Sequence, residues 1–147
     1  PPVIPELKLD VPSDAFLPTD YVPREESRLD AYRRLAGVTS HADVEDIERE
    51  WLDRYGKLPE PAEALLRVGR LRAECRRIGL REVVVENGRA RMSPVSLPAS
   101  GVMRLNRLDS RADWNEKLHT ITITMPRTGD AVSALLSFLK SMFDDDN

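Results

Sequence analysis

The chain has 147 residues, a formal net charge of −3, and 41% hydrophobic and 32% charged residues. That length suits one hydrophobic core, and no apolar run nears the roughly 18 residues a membrane span needs. The negative balance also argues against bulk attraction to nucleic acid.

The chain opens Pro1-Pro2, with no basic stretch and no apolar run behind it. It is expected to carry no signal peptide and to be a piece of a longer polypeptide. Its single cysteine, Cys75, excludes an internal disulfide and suits a reducing cytoplasm. Residues 6–11 alternate Leu7, Leu9 and Val11 with polar neighbours, the pattern of a half-buried strand. Pro12, Pro18 and Pro23 then impose an extended strap. Leu29, Tyr32 and Ala36 recur at helical spacing over 25–36, and Gly37 is placed to end that helix in a left-handed cap. Ser40 with Asp43 reads as a capping box, and Val44, Ile47, Trp51 and Tyr55 form the apolar stripe of a second helix that stops at Gly56.

Pro61 suits the first turn of a third helix, whose stripe is Leu65, Val68, Leu71, Cys75 and Ile78, up to Gly79. Beyond it the period changes. Asn87-Gly88 lies between two strand-like runs, the strongest two-residue signal for a type I′ hairpin. Residues 97–108 leave open a short helix after Pro98, and within Trp114 to Met125 the run TITITM reads as a strand because Ile121, Ile123 and Met125 alternate with threonines. Apolar residues at 132, 135, 136, 139, 142 and 143 mark an amphipathic closing helix, followed by a solvated Asp-Asp-Asp-Asn tail. The predicted architecture is α+β over a single domain, 1–147: an N-terminal strand and strap, three helices, a small, mostly antiparallel sheet with hairpins, and a C-terminal helix.

Chemistry-bearing motifs are scarce. His41, His119 and Cys75 are scattered over three elements, whereas zinc needs three or four converging ligands. No phosphate-cradling glycine loop and no framed nucleophile occurs, so neither catalysis nor a cofactor is expected within this chain. Cys75, on an apolar stripe, reads as core. Asp144, Asp145 and Asp146 lack the spaced oxygen set that would hold a hard cation.

Two charge patterns remain. Asp43, Asp46, Glu50 and Asp53 are spaced i, i+3, i+7, i+10 and line one face of the second helix, about 100° from its core stripe. Residues 65–81 mirror them with Arg67, Arg70, Arg72, Arg76, Arg77 and Arg81 against Glu74. The two helices could neutralise each other or simply be solvated. The acidic face could instead dock on a basic partner, or the arginine-rich helix could track phosphates as a nucleic-acid-binding module; the last is weakened by the absence of stacking aromatics around it.

The stretches FLPTDYVPREESRLDAYRRLA and EDIEREWLDRYGKLPEPAEALLRVGRLRAECRRIGL resemble the C-terminal domain of the bacterial transcription-repair coupling factor. The family pattern is a proline-bounded strap, an R-L-x-x-Y-[KR]-[KR]-[LI]-A helix and an E-L-x-D-R-[FY]-G-x-[LM]-P-x-P joint. The resemblance covers residues 7–92 well and is looser from Pro94; Trp51 stands where the family usually has leucine. It implies a parent that is an ATP-driven DNA translocase, displaces stalled RNA polymerase and recruits UvrA through a UvrB-like module. It further implies that this domain holds no motor, clasps the UvrB-like module so as to mask the UvrA surface, and restrains the translocase. The two acids of the motif fall on Glu50 and Asp53, members of the face found by spacing. The Tyr-Gly-Lys-Leu-Pro-Glu-Pro joint is then a connector between helices, with the informative chemistry on the helix before it.

Overall fold

In the computed structural model, residues 3–144 are described. Strand β1 (Lys8–Asp10) leads through the strap into α1 (Glu25–Ala36), α2 (His41–Tyr55) and α3 (Glu60–Ile78). The hairpin β2 (Glu82–Glu86) and β3 (Arg89–Ser93) follows, then α4 (Ala99–Leu108), the hairpin β4 (Asp113–Asn115) and β5 (Thr120–Thr124), and α5 (Ala131–Phe143). The sheet order is β1-β2-β3-β5-β4, antiparallel throughout except where β1 joins β2 in parallel. The three helices between β1 and β2 supply the crossover that a parallel pair requires.

One cross-strand row runs through all five strands: Leu9, Val83, Met92, Ile121 and Trp114 are successive register partners. Beside it lies a second row of Val85, Ala90 and Ile123. These rows form the floor of a core roofed by Leu71 and Cys75 of α3, Leu105 of α4, and Val132, Leu135, Leu139 and Met142 of α5. A second core gathers Leu17 and Val22 of the strap, Leu35 of α1, Val44, Ile47 and Trp51 of α2, Leu58 of the joint, and Ala62, Leu65 and Leu66 of α3. Helix α3 therefore serves both cores, with its first turns in one and its later turns in the other, and it is buried well beyond a single stripe.

Local chemistry accounts for the ends. Ser40 accepts the Asp43 N–H at 3.2 Å, a helix cap worth about 1 kcal/mol, while the Asp43 carboxylate accepts the Thr39 N–H at 3.0 Å, one residue before the cap. Asn87 and Gly88 both take positive φ, 53° and 73°, as a type I′ turn demands. The joint is pinned by the strap: the Tyr21 hydroxyl donates to the Gly56 carbonyl at 2.8 Å, and Leu58 is buried.

Several expectations change. The first helix packs through Leu35 and Ala31, while Leu29, Tyr32 and Ala36 are exposed; the Tyr32 hydroxyl accepts the Leu17 N–H at 2.9 Å and so fastens the strap. Gly37 has φ −98°, not left-handed, because its N–H bonds back to the Arg34 carbonyl and the Val38 N–H to that of Leu35 in a tight last turn. Strand β1 is shorter than predicted. The TITITM strand is β5, and the unpredicted β4 pairs with it through a turn in which the Asn115 side chain accepts the Leu118 N–H and His119 takes φ 50°. Residues 99–108 are helical. Asp144 is half-buried and accepts from Arg77 at 2.8 Å; the rest of the predicted solvated tail lies outside the described residues.

Candidate docking face

Helix α2 displays its four spaced acids with different fates. Asp43 is committed to the helix cap, and its hydrogen bond from the Thr39 backbone holds its carboxyl below the usual range. Asp46 pairs with Arg49 one turn on. Glu50 is engaged at both oxygens: Arg34 of α1 donates to Oε2, and Arg54 donates to Oε1 at 3.2 Å. The Arg34 hydrogen bond, with that of Arg54 adding to it, lowers the Glu50 carboxyl against the opposing effect of partial burial. Asp53 is exposed and makes no ion pair among the described residues.

Between α1 and α2 lies a groove of about 300 Å³, with Ala31, Ile47, Trp51 and Tyr55 on its walls and Asp30, Arg34, Glu50 and Arg54 at its charged rim. Arg54 stacks its guanidinium over the Tyr55 ring, 5.2 Å from the centroid. Tyr55 in turn contacts Tyr21 of the strap, with ring centroids 5.6 Å apart. The face thus combines a free carboxylate, a shared one and a shallow aromatic-walled cleft.

Arg34 and the groove were not read from the sequence. Arg54 could have been, since it stands four residues after Glu50 in the orientation that favours an intrahelical pair. Arg34 is 16 positions from Glu50, and only the α1–α2 packing joins them.

The arginine-rich α3 is largely spent inside the fold. Arg67 reaches Glu60 at 2.9 Å and Asp130 at 3.5 Å, and Arg70 reaches Glu48 at 3.3 Å, a direct link between the acidic and basic helices. Arg76 donates to the carbonyls of Ala36 and Val38 at 3.0 and 2.6 Å, closing the end of α1. Arg77 holds Glu74 and Asp144. Arg72 is half-buried, and burial lowers its pKa. A row of cations held this way presents no continuous phosphate track.

Residues 11–100 match the family model described as the TRCF domain. The chain belongs to the TRCF domain family. This TRCF domain is 40% identical over 125 residues to the transcription-repair-coupling factors of Mycobacterium bovis and Mycobacterium tuberculosis, covering 84% of the chain and 10% of each relative. It is 38% identical over 78 residues to that of Escherichia coli, covering 53% of the chain and 7% of the relative. The chain thus spans about a tenth of the length of the mycobacterial relatives it matches. Its fold is similar to the crystal structure of the C-terminal domain of a transcription-repair coupling factor, with TM-score 0.78 and 17% identity, covering 94% of this chain and 92% of that one. The TRCF domain match spans the strap, α1, α2, α3 and the first hairpin, the whole scaffold of the acidic face. Among the described residues no helix is long and apolar enough to cross a membrane.

Proposed function

We propose that this TRCF domain is a non-catalytic regulatory module that docks in cis on the UvrB-like module of its parent, through Glu50 and Asp53 of α2 with Asp46 and Asp43 beside them. Docked there, it masks the surface that UvrA would use and restrains an ATP-driven DNA translocase in the cytoplasm until RNA polymerase is engaged. The observation that carries this reading is Asp53: an exposed carboxylate without a cation among the described residues, one turn from Glu50 and on the helix that walls the open groove. A carboxylate held among other acids on a helix is relieved by a basic partner.

The test is calorimetric titration of this chain into the isolated UvrB-like module. Asp53→Arg should leave the fold intact, since arginine is a good helix former. It should weaken docking by roughly 2–5 kcal/mol if the contact is desolvated, against about 0–1 for a solvated pair. In the parent it should expose the UvrA surface. Unchanged docking by Asp53→Arg would remove the acidic face from the interface.

A further inference from the structure

The groove between α1 and α2 already holds a cation of the domain's own. Arg34 takes Oε2 of Glu50 and Arg54 takes Oε1, so the acid that would meet a basic partner is engaged at both oxygens beforehand. The two arginines are not equivalent. Arg54 belongs to the same helix, in the favoured i, i+4 order, with its guanidinium over Tyr55. Arg34 comes from the opposite wall, with its side chain 49% exposed.

Helix α1 does not depend on the Arg34 contact for its position. Leu35 anchors it in the core, the Tyr32 hydroxyl fastens it to the strap, and Arg76 closes its last turn. Pairs as exposed as Arg34 and Glu50 are weak. Asp30, on the rim of the same groove, is held by Arg33 at 3.0 Å, so Arg34 is paired with Glu50 alone among the described residues.

We infer that Arg34 is an internal competitor for Glu50: on docking, a cationic side chain of the partner displaces the Arg34 guanidinium from Oε2 and enters the α1–α2 groove, while Arg34 swings out into solvent. The inference rests on the docking reading above and adds the residue that sets its strength. Charge complementarity argues for the occupant, because the groove rim is neutral as it stands, with Asp30 and Glu50 against Arg34 and Arg54. It becomes an acidic socket once Arg34 withdraws.

The experiment titrates the UvrB-like module with this chain as it is and as Arg34→Gln, Glu50→Gln, Asp53→Asn and the Arg34→Gln/Glu50→Gln pair, each checked by circular dichroism and thermal melting. Arg34→Gln keeps most of the aliphatic stem and is expected to tighten docking about two- to fivefold. Glu50→Gln is expected to weaken docking, by a larger factor in the Arg34→Gln background than in the unmodified chain. Docking that weakens or stays constant in Arg34→Gln overturns the competitor role. Asp53 lies outside the Arg34 contact and separates the two claims. If Asp53→Asn weakens docking while Arg34→Gln leaves it unchanged, the face stands and the competitor falls. If neither acid substitution matters, or the unmodified chain does not bind, both fall.

Discussion

Glu74 of α3 meets His41 of α2 with Oε2 and Nε2 2.7 Å apart, at a carboxylate whose side chain is only 11% exposed. Arg77 donates to both oxygens of the same group at 3.1 and 2.9 Å, so one buried acid ties the start of α2 to the last turns of α3. The hydrogen bonds from Arg77, helped by His41, hold the Glu74 carboxyl below the ordinary glutamate range despite burial. A depressed folded pKa means that the stabilisation is complete above the unfolded value of about 4.3 and is lost as pH falls through it toward the folded pKa. Glu74→Gln should therefore lower stability at neutral pH by about 1–3 kcal/mol and lose less than the unmodified chain on acidification. Urea titrations of both proteins at neutral and acidic pH measure this; parallel losses on acidification would place the acid sensitivity elsewhere.

Gly69 sits in the middle of α3, where glycine costs about 1 kcal/mol relative to alanine. A Cβ there would lie 3.0 Å from Leu35 Cδ2 and 3.4 Å from Val44 Cγ2, so the residue is where α1 and α2 close on α3. Gly69→Leu should destabilise by about 1–3 kcal/mol through overpacking. In Gly69→Ala the gain in helix propensity should largely offset the crowding. A thermal melt in which Gly69→Leu is neutral would mean that the three helices pack less tightly than these distances require.

Cys75 is fully buried, and that burial pushes its thiol up to about 12. The thiolate is the reactive form, so alkylation in the folded protein should be slow and limited by unfolding. Labelling with iodoacetamide across a urea series should follow the unfolding curve. Rapid modification without denaturant would show that the sheet side of α3 opens locally.

The two cores each carry one tryptophan: Trp51 lies inside the helical core, and Trp114 packs at the margin of the sheet core. Because α3 is common to both, they are expected to unfold together as a single domain, without metal. In Trp51→Phe the remaining fluorescence reports the sheet core, and in Trp114→Phe it reports the helical core. Within each variant the fluorescence and far-ultraviolet transitions should coincide, and added chelator should not move them. Separate midpoints would divide the chain into two units.

Elements governed by near neighbours were legible along the chain. The Ser40 cap, the Asn87-Gly88 turn, the stripe Val44, Ile47, Trp51 and the placement of Cys75 all follow from residues within about two turns of one another, where backbone sterics and side-chain spacing dominate. The alignment of Asp43, Asp46, Glu50 and Asp53 on one face is of the same kind. Where local patterns misled, a distant contact prevailed: Tyr32, on the first helix's predicted stripe, turned out to fasten the strap at Leu17.

The sequence by itself thus determined most of the elements, the α+β class and the acidic face, since each depends on periodicity within one segment. Only the tertiary structure decided which of that face's charges are free. Arg34 reaches Glu50 across 16 positions, Glu74 is buried between His41 and Arg77, and the arginines of α3 turn inward to Glu48, Asp130 and the carbonyls that end α1. Whether a charge is free or spent depends on which helices close against each other, and that packing is a collective outcome of two cores joined along α3.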